Sequence, residues 1–140
     1  MTHKRRAEAV IDKPADEVWA RVRDFGDISW IPNTEKCTFD GKVRRVSRAA
    51  WDFDLQQRLT NFDDEKRTWS YDLLEPLDFS VFFGPDHVVN TITGTLVVNP
   101  QGESSSYVTW DIETEDFMIE GVHAEYQASL DNLKSLLEAP

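Results

Sequence analysis

Apolar and polar positions recur along the chain with two different periods, and the changes of period divide it into three stretches. Residues 3 to 12, HKRRAEAVID, read as the start of a strand. Pro14 with Asp16 and Glu17 then opens a helix, because proline pre-sets φ and carboxylates favour the positive end of the helix dipole. Val18, Trp19, Val22 and Phe25 give that helix its apolar stripe. Gly26 interrupts it, so DISWIP is a second, very short helix or a turn, ended by Pro32 and carrying Trp30.

From residue 35 to 116 the period is two, with turn signals at Asp40-Gly41, Asp63-Asp64, Gly84-Pro85 and Asn99-Pro100-Gln101-Gly102. Trp51, Phe53, Leu55, Gln57 and Leu59 share one face of one strand. Trp69, Tyr71 and Leu73 share a face of the next, and Val108, Trp110 and Ile112 a face of the last. After Asp116, read as an N-cap, the pattern returns to helical spacing for about 20 residues, with Met118, Val122, Tyr126, Leu130, Leu133 and Leu137 as the stripe. That helix must bury its stripe, and the nearest large apolar surface is the inner face of the sheet. The expected architecture is α+β: a curved antiparallel sheet of about seven strands wrapped around a long C-terminal helix, with two short helices after the first strand. Residues 1–140 are read as a single domain, a length that suits one core.

Composition narrows the function classes. Fifteen basic against twenty-six acidic side chains give a net charge of −11, a field that repels phosphate backbones, so nucleic acid is not expected as a partner. No run approaches the roughly 20 apolar residues of a membrane span, and no signal peptide is read before the first strand. The single cysteine, Cys37, cannot form an internal disulfide. These features predict a cytoplasmic protein; monomer and homodimer both stay open.

Order of elements and sequence then converge. KPADEVWARVRDFGDISWIP, GKVRR, QRLTNFDDEKRTWSYDLLE, SSYVTWDIETED and the terminal SLDNLKSLLE together resemble the START-like, or Bet v 1-like, superfamily with its helix-grip fold. Within it, they resemble the bacterial polyketide cyclase/dehydrase and lipid-transport branch. The resemblance implies a cavity between sheet and long helix that holds an apolar or amphipathic molecule, with Trp30 closing one end of the grip or simply capping the core. The middle section is also similar to the plant abscisic acid receptors, through Gly41-x-x-Arg44 and Gln57-Arg58-Leu59 followed by Asp63-Asp64-Glu65. That likeness puts Gln57, Tyr71 and Trp110 at cavity-facing positions. The receptors' Ser-Gly-Leu-Pro-Ala gate is absent; Ser47 leads into Arg48-Ala49-Ala50-Trp51 instead, so their gating is not carried over.

The chemistry available to such a cavity is sparse. Gln57 interrupts an apolar face, and a buried amide without a partner costs roughly 1–3 kcal/mol, so it wants a ligand oxygen, a water or Arg44. The family likeness turns Arg44 inward, whereas alternation from Val43 admits Arg45 equally. Glu125 and Ser129, one turn apart on the long helix, lie beside its apolar stripe. The expected ligand-binding set is Trp30, Arg44, Phe53, Leu55, Gln57, Trp69, Tyr71, Trp110, Val122, Tyr126 and Ser129. Candidates for proton transfer are Glu125, His87 and Tyr71. His123-Ala124-Glu125 lacks the Pro-Cys-x-x-Cys of a zinc deaminase, and no His-Glu-x-x-His, phosphate loop or Gly-x-Ser-x-Gly occurs, so no metal or cofactor is expected. PLDFSVFFGPD concentrates Leu77, Phe79, Val81, Phe82 and Phe83. It is read as a lid over the cavity mouth, a contact for a partner chain, or a strand packed on both sides. Three functions stay open at this point: carriage of a lipid, polyketide or aromatic metabolite, cyclase/dehydratase catalysis in the same cavity, or protein interaction through Phe79–Phe83.

Overall fold

The computed structural model describes residues 1–48, 51 and 53–140. Part of the Arg48-Ala49-Ala50-Trp51 segment therefore lies outside the described residues. Strand β1 (Thr2–Ile11) leads into helix α1 (Ala15–Val22), and after two turns the chain runs through β2 (Thr34–Phe39), β3 (Val43–Arg48), β4 (Leu55–Asp63) and β5 (Thr68–Leu73). A small ribbon of β6 (Leu77–Asp78) and β7 (Val88–Val89) brackets the one-turn helix α2 (Ser80–Phe83). Strands β8 (Ile92–Pro100) and β9 (Ser106–Glu115) then precede the long helix α3 (Ile119–Glu138). Seven strands form one antiparallel sheet in the order β1-β9-β8-β5-β4-β3-β2, and with α3 against it this is the helix-grip α+β fold.

Local chemistry explains most boundaries. Pro14 (φ −59°) precedes α1, and its carbonyl accepts the first helical hydrogen bonds from the amides of Glu17 and Val18, as expected for proline at a helix start. The stripe Val18, Trp19, Val22 and Phe25 is buried throughout. The segment around Trp30 is two turns, closed by Asp27 N–H to the Asp24 carbonyl and Ile31 N–H to the Ile28 carbonyl. One boundary differs from expectation: α3 begins at Ile119 behind Met118, with no side-chain cap. Met118 N–H bonds the Glu115 carbonyl, so a turn intervenes and the Asp116 carboxylate meets His3 Nε2 at 2.8 Å.

The inner face of the sheet carries the core. Trp69, Tyr71 and Leu73 alternate with half-buried neighbours along β5, and Val108, Trp110 and Ile112 are buried along β9. Trp51 and Phe53, expected to extend the face of β4, precede it. β4 starts at Leu55, and the two rings stack on each other (centroids 5.1 Å, 20°) and meet Phe79 edge-on. Gly94 on β8 lies opposite Tyr71, and a Cβ there would run into the phenol ring. The missing side chain is what lets that ring lie flat across the neighbouring strand.

Among the described residues the outer edge of β1 has no strand beside it, and α3 supplies the missing partners. His123 Nε2 approaches the Arg6 carbonyl at 3.0 Å, Gln127 both accepts from Glu8 N–H (3.0 Å) and donates to the Glu8 carbonyl (2.8 Å), Lys134 donates to the Val10 carbonyl (2.6 Å), and Glu138 accepts from Asp12 N–H (2.8 Å). An open strand edge is a template for aggregation; here one face of α3 closes it while the other faces the core.

Candidate functional site

Towards its N-terminal end α3 no longer meets a filled interior. A cavity of about 270 Å³ opens between its first turns, α2 and the sheet. Val122 and Tyr126, four residues apart and therefore on one helix face, line it with Leu55, Ile92, Phe82 and Phe117. Gly121 beside them leaves open space. Three residues with polar side chains line this cavity: Arg48, Glu125 and Tyr126. Arg48 Nη2–H donates to Glu125 Oε1 at 2.5 Å, and the arginine side chain is only 12% exposed against 45% for the glutamate. Its guanidinium also lies 5.0 Å from the Trp51 ring centroid.

Two further spaces adjoin it around the same residues. One of about 40 Å³ shares Arg48, Leu55 and Tyr126 with the outer cavity and reaches Arg44, Gln57 and Trp110. The other, about 190 Å³, lies on the far side of the Arg48–Glu125 pair against Ile31, Pro32 and Ser129.

The register of β3 with β4 sets Arg44 opposite Gln57. Arg44 is 3% exposed, while Arg45 points outward near Asp40 at 3.8 Å. Arg44 Nε–H donates to Gln57 Oε1 (2.6 Å) and Nη1–H to the Phe25 carbonyl (2.9 Å). The guanidinium sits 3.9 Å from the Phe25 ring centroid, with Trp69 and Tyr71 at 5.7 and 5.5 Å. Burial lowers its pKa from the ordinary arginine value, offset in part by Tyr71, Tyr126 and Cys37. Tyr71 and Tyr126 share a hydrogen bond between their hydroxyls. Burial, reinforced by the Tyr126 phenol, holds the Tyr71 hydroxyl well above its usual range, so it is a neutral acid at physiological pH. Tyr126 in turn stacks on Trp110 (centroids 4.0 Å), whose Nε1–H makes no hydrogen bond of full geometry.

The expected site residues divide accordingly. Leu55, Gln57, Arg44, Trp110, Val122, Tyr126 and Ser129 each border one of the three spaces. Gln57 finds its partner in Arg44, and the Ser129 hydroxyl is satisfied by the Glu125 carbonyl one turn back at 2.8 Å. Trp30 and Trp69 border none of the three. Trp30 is buried 5.4 Å from Trp110, and Trp69 gives its Nε1–H to the Val22 carbonyl. Tyr71 reaches the cavity only through Tyr126, and Phe53 faces a shallow outer groove with Leu77 and Asp54. His87 belongs to the loop after α2: its Nδ1 lies 2.9 Å from the Gly84 carbonyl, which makes Nδ1 the protonated nitrogen, and its ring packs edge-on against Phe117 at 4.9 Å. The apolar segment is α2 at the cavity mouth, with Phe79 buried, Phe82 and Phe83 half exposed and Val81 83% exposed.

Arg48, Ile92 and Phe117 were missed. Arg48 had a signal: once Arg44 is inward, parity along β3 carries Val46 and Arg48 to the same face. Ile92 and Phe117 had none, because they meet α2 only through the fold. Among the described residues no cluster of His, Cys, Asp and Glu is placed to hold a metal ion, and no helix is long and apolar enough to cross a membrane.

The family model described as polyketide cyclase / dehydrase and lipid transport matches residues 2–138. The chain belongs to that family. No curated protein matches the sequence. Among solved structures, an uncharacterised protein from Bacillus thuringiensis superposes with a TM-score of 0.81 at 20% identity, covering 96% of this chain and 98% of that one. The Zhui aromatase/cyclase from a Streptomyces species gives 0.76 at 17% identity, over 99% and 94% of the two chains. A truncated norcoclaurine synthase from Thalictrum flavum gives 0.74 at 16% identity, over 100% and 96%. At these identities the structural likeness speaks for the fold.

Proposed function

We propose that this member of the polyketide cyclase / dehydrase and lipid transport family binds and carries a small hydrophobic molecule, seated between the sheet and the first turns of α3. The observation that carries the reading is the cavity of about 270 Å³, apolar in its walls save for three residues with polar side chains. Ligand sites have this composition: mostly apolar walls that supply affinity, with a few placed polar groups that supply orientation. The volume lies just below the usual range of roughly 300–1,000 Å³, which suits one or two rings or a short chain rather than a sterol. A ligand that binds only the folded state raises its stability by RT ln(1 + [L]/Kd). A thermal-shift panel of short-chain lipids and mono- and bicyclic aromatics tests this. A concentration-dependent rise that disappears in Val122→Trp, which fills the cavity, is the expected result; no rise from any compound defeats the reading.

Turnover in the same cavity is the second reading, and one observation favours it. Tyr126 borders the cavity and its hydroxyl is hydrogen-bonded to that of Tyr71, which provides a neutral acid able to protonate an oxygen or carbanion of a bound chain. A base is harder to name. Glu125 is tied to Arg48, and His87 points into its own loop. Conversion of a poly-β-keto model compound that is lost in Tyr126→Phe would move the assignment from carrier to cyclase or dehydratase.

A further inference from the structure

We propose that the inner space of about 40 Å³ receives the anionic end of the ligand, so that the protein selects amphipathic molecules bearing a terminal carboxylate, held head-inward between Arg44 and Arg48. This rests on the ligand-binding reading above and adds the chemical class and the direction of binding.

Arg44 brings a buried positive charge to this space with no carboxylate beside it among the described residues. It is 3% exposed, and its bonds to Gln57 and the Phe25 carbonyl use two of five N–H donors. A buried cation is costly unless paired, and cation–π contact with Phe25 offsets the cost only in part. Gln57 has committed its oxygen to Arg44, leaving the amide's N–H groups. Trp110 borders the same space, and its Nε1–H, near the Tyr71 hydroxyl, makes no hydrogen bond of full geometry. Arg48 brings a second guanidinium to it. The side chains therefore offer an excess of donors, and the guest that answers them is an acceptor with negative charge.

Size and partner geometry fix which acceptor. A water needs about 10–15 Å³ of such space, so about 40 Å³ admits a group of carboxylate size and is far smaller than the outer cavity of about 270 Å³. Guanidinium groups match a carboxylate's two oxygens in a planar fork. Glu125 already places one carboxylate oxygen on Arg48, through a single bond at 2.5 Å, which leaves the guanidinium's fork unfilled. Being 45% exposed on a helix surface, it is free to return to solvent when a ligand carboxylate takes its place. The apolar body, too large for the inner space, then lies in the outer cavity against Val122 and Leu55.

Calorimetry on the intact chain with two pairs of probes decides the matter: octanoic acid against octanol, and 1-naphthylacetic acid against 2-(1-naphthyl)ethanol. Each acid is expected to bind at least tenfold more tightly than its alcohol. Glu125→Gln should raise that ratio by removing the competing carboxylate, and Arg44→Met should bring it below threefold. Where Arg44→Met does not fold, Arg48→Gln should lower the same ratio. Equal affinity of acid and alcohol overturns the proposal and leaves the carrier reading standing; binding of neither overturns both. Acetate binding as tightly as the full acids would also overturn it, because the inner space would then be a small-anion pocket unconnected to a ligand body.

Discussion

The two halves of α3 face the same sheet and meet it differently. In the C-terminal half Leu130 and Leu133 are wholly buried, and Lys134 and Glu138 reach across to the backbone of Val10 in β1 and of Asp12 just after it. In the N-terminal half Val122 and Tyr126 belong to the same apolar stripe yet look into open space. Hydrophobicity along the helix is continuous, so it is not what separates a filled interior from a container. The difference lies opposite: beneath the N-terminal turns stand Arg48, Leu55 and Ile92, and the bulk that would fill the gap, Phe82 and Phe83, stays half exposed on α2.

The sharpest way to break the contrast is to carve a hole in the filled half. Leu133→Ala should cost about 2–5 kcal/mol, as buried leucine truncations do, and urea unfolding reads it directly. Gly94→Ala should cost about 1–3 kcal/mol by overpacking against the Tyr71 ring, with a change in near-ultraviolet circular dichroism as Tyr71 and Tyr126 lose their shared hydrogen bond. The same pair predicts the alkaline limit. Tyr71 titrates above its unfolded value because burial disfavours the phenolate, so its contribution is complete below pH of about 10 and is lost as pH rises further, when the unfolded chain gives up the proton first. Stability measured from pH 8 to 11 should fall less steeply in Tyr71→Phe.

Truncation in the open half should be mild. Val122→Ala removes atoms that already border a void, and about 1 kcal/mol or less is expected, with a change in ligand preference toward bulkier bodies. Glu125→Gln should be smallest, under about 1 kcal/mol for a half-exposed ion pair, and its effect should shrink further in high salt. A large loss in either would mean that the N-terminal turns are held by packing after all.

Much of this was legible beforehand, for physical reasons that can be named. Trp69, Tyr71 and Leu73 could be set on one face because a strand alternates strictly, and the α3 stripe because a helix repeats every three or four residues. Arg44 against Arg45 could not be decided, since β3 has basic residues on both faces; only its pairing with β4, Arg44 opposite Gln57, resolves it. Asp116 looked like a cap, but His3, distant in sequence, claims its carboxylate. The Arg48–Glu125 pair spans 77 residues of chain, and no local pattern announces such a contact. The cavity itself was implied by family likeness and not by periodicity, which says that Val122 faces inward without saying what it faces.

The closing of the β1 edge by helix side chains has a consequence for hydrogen exchange. The amides of Glu8 and Asp12 are held by Gln127 and Glu138, not by another strand. Deuterium uptake at Asp12 is therefore governed by fraying of the helix's last turn, and at Glu8 by undocking of its middle, local openings below the free energy of global unfolding. Glu8 in the first strand and Asp12 just after it thus act as reporters for the last helix, and the isotope clock at one end of the chain reads the docking of the other.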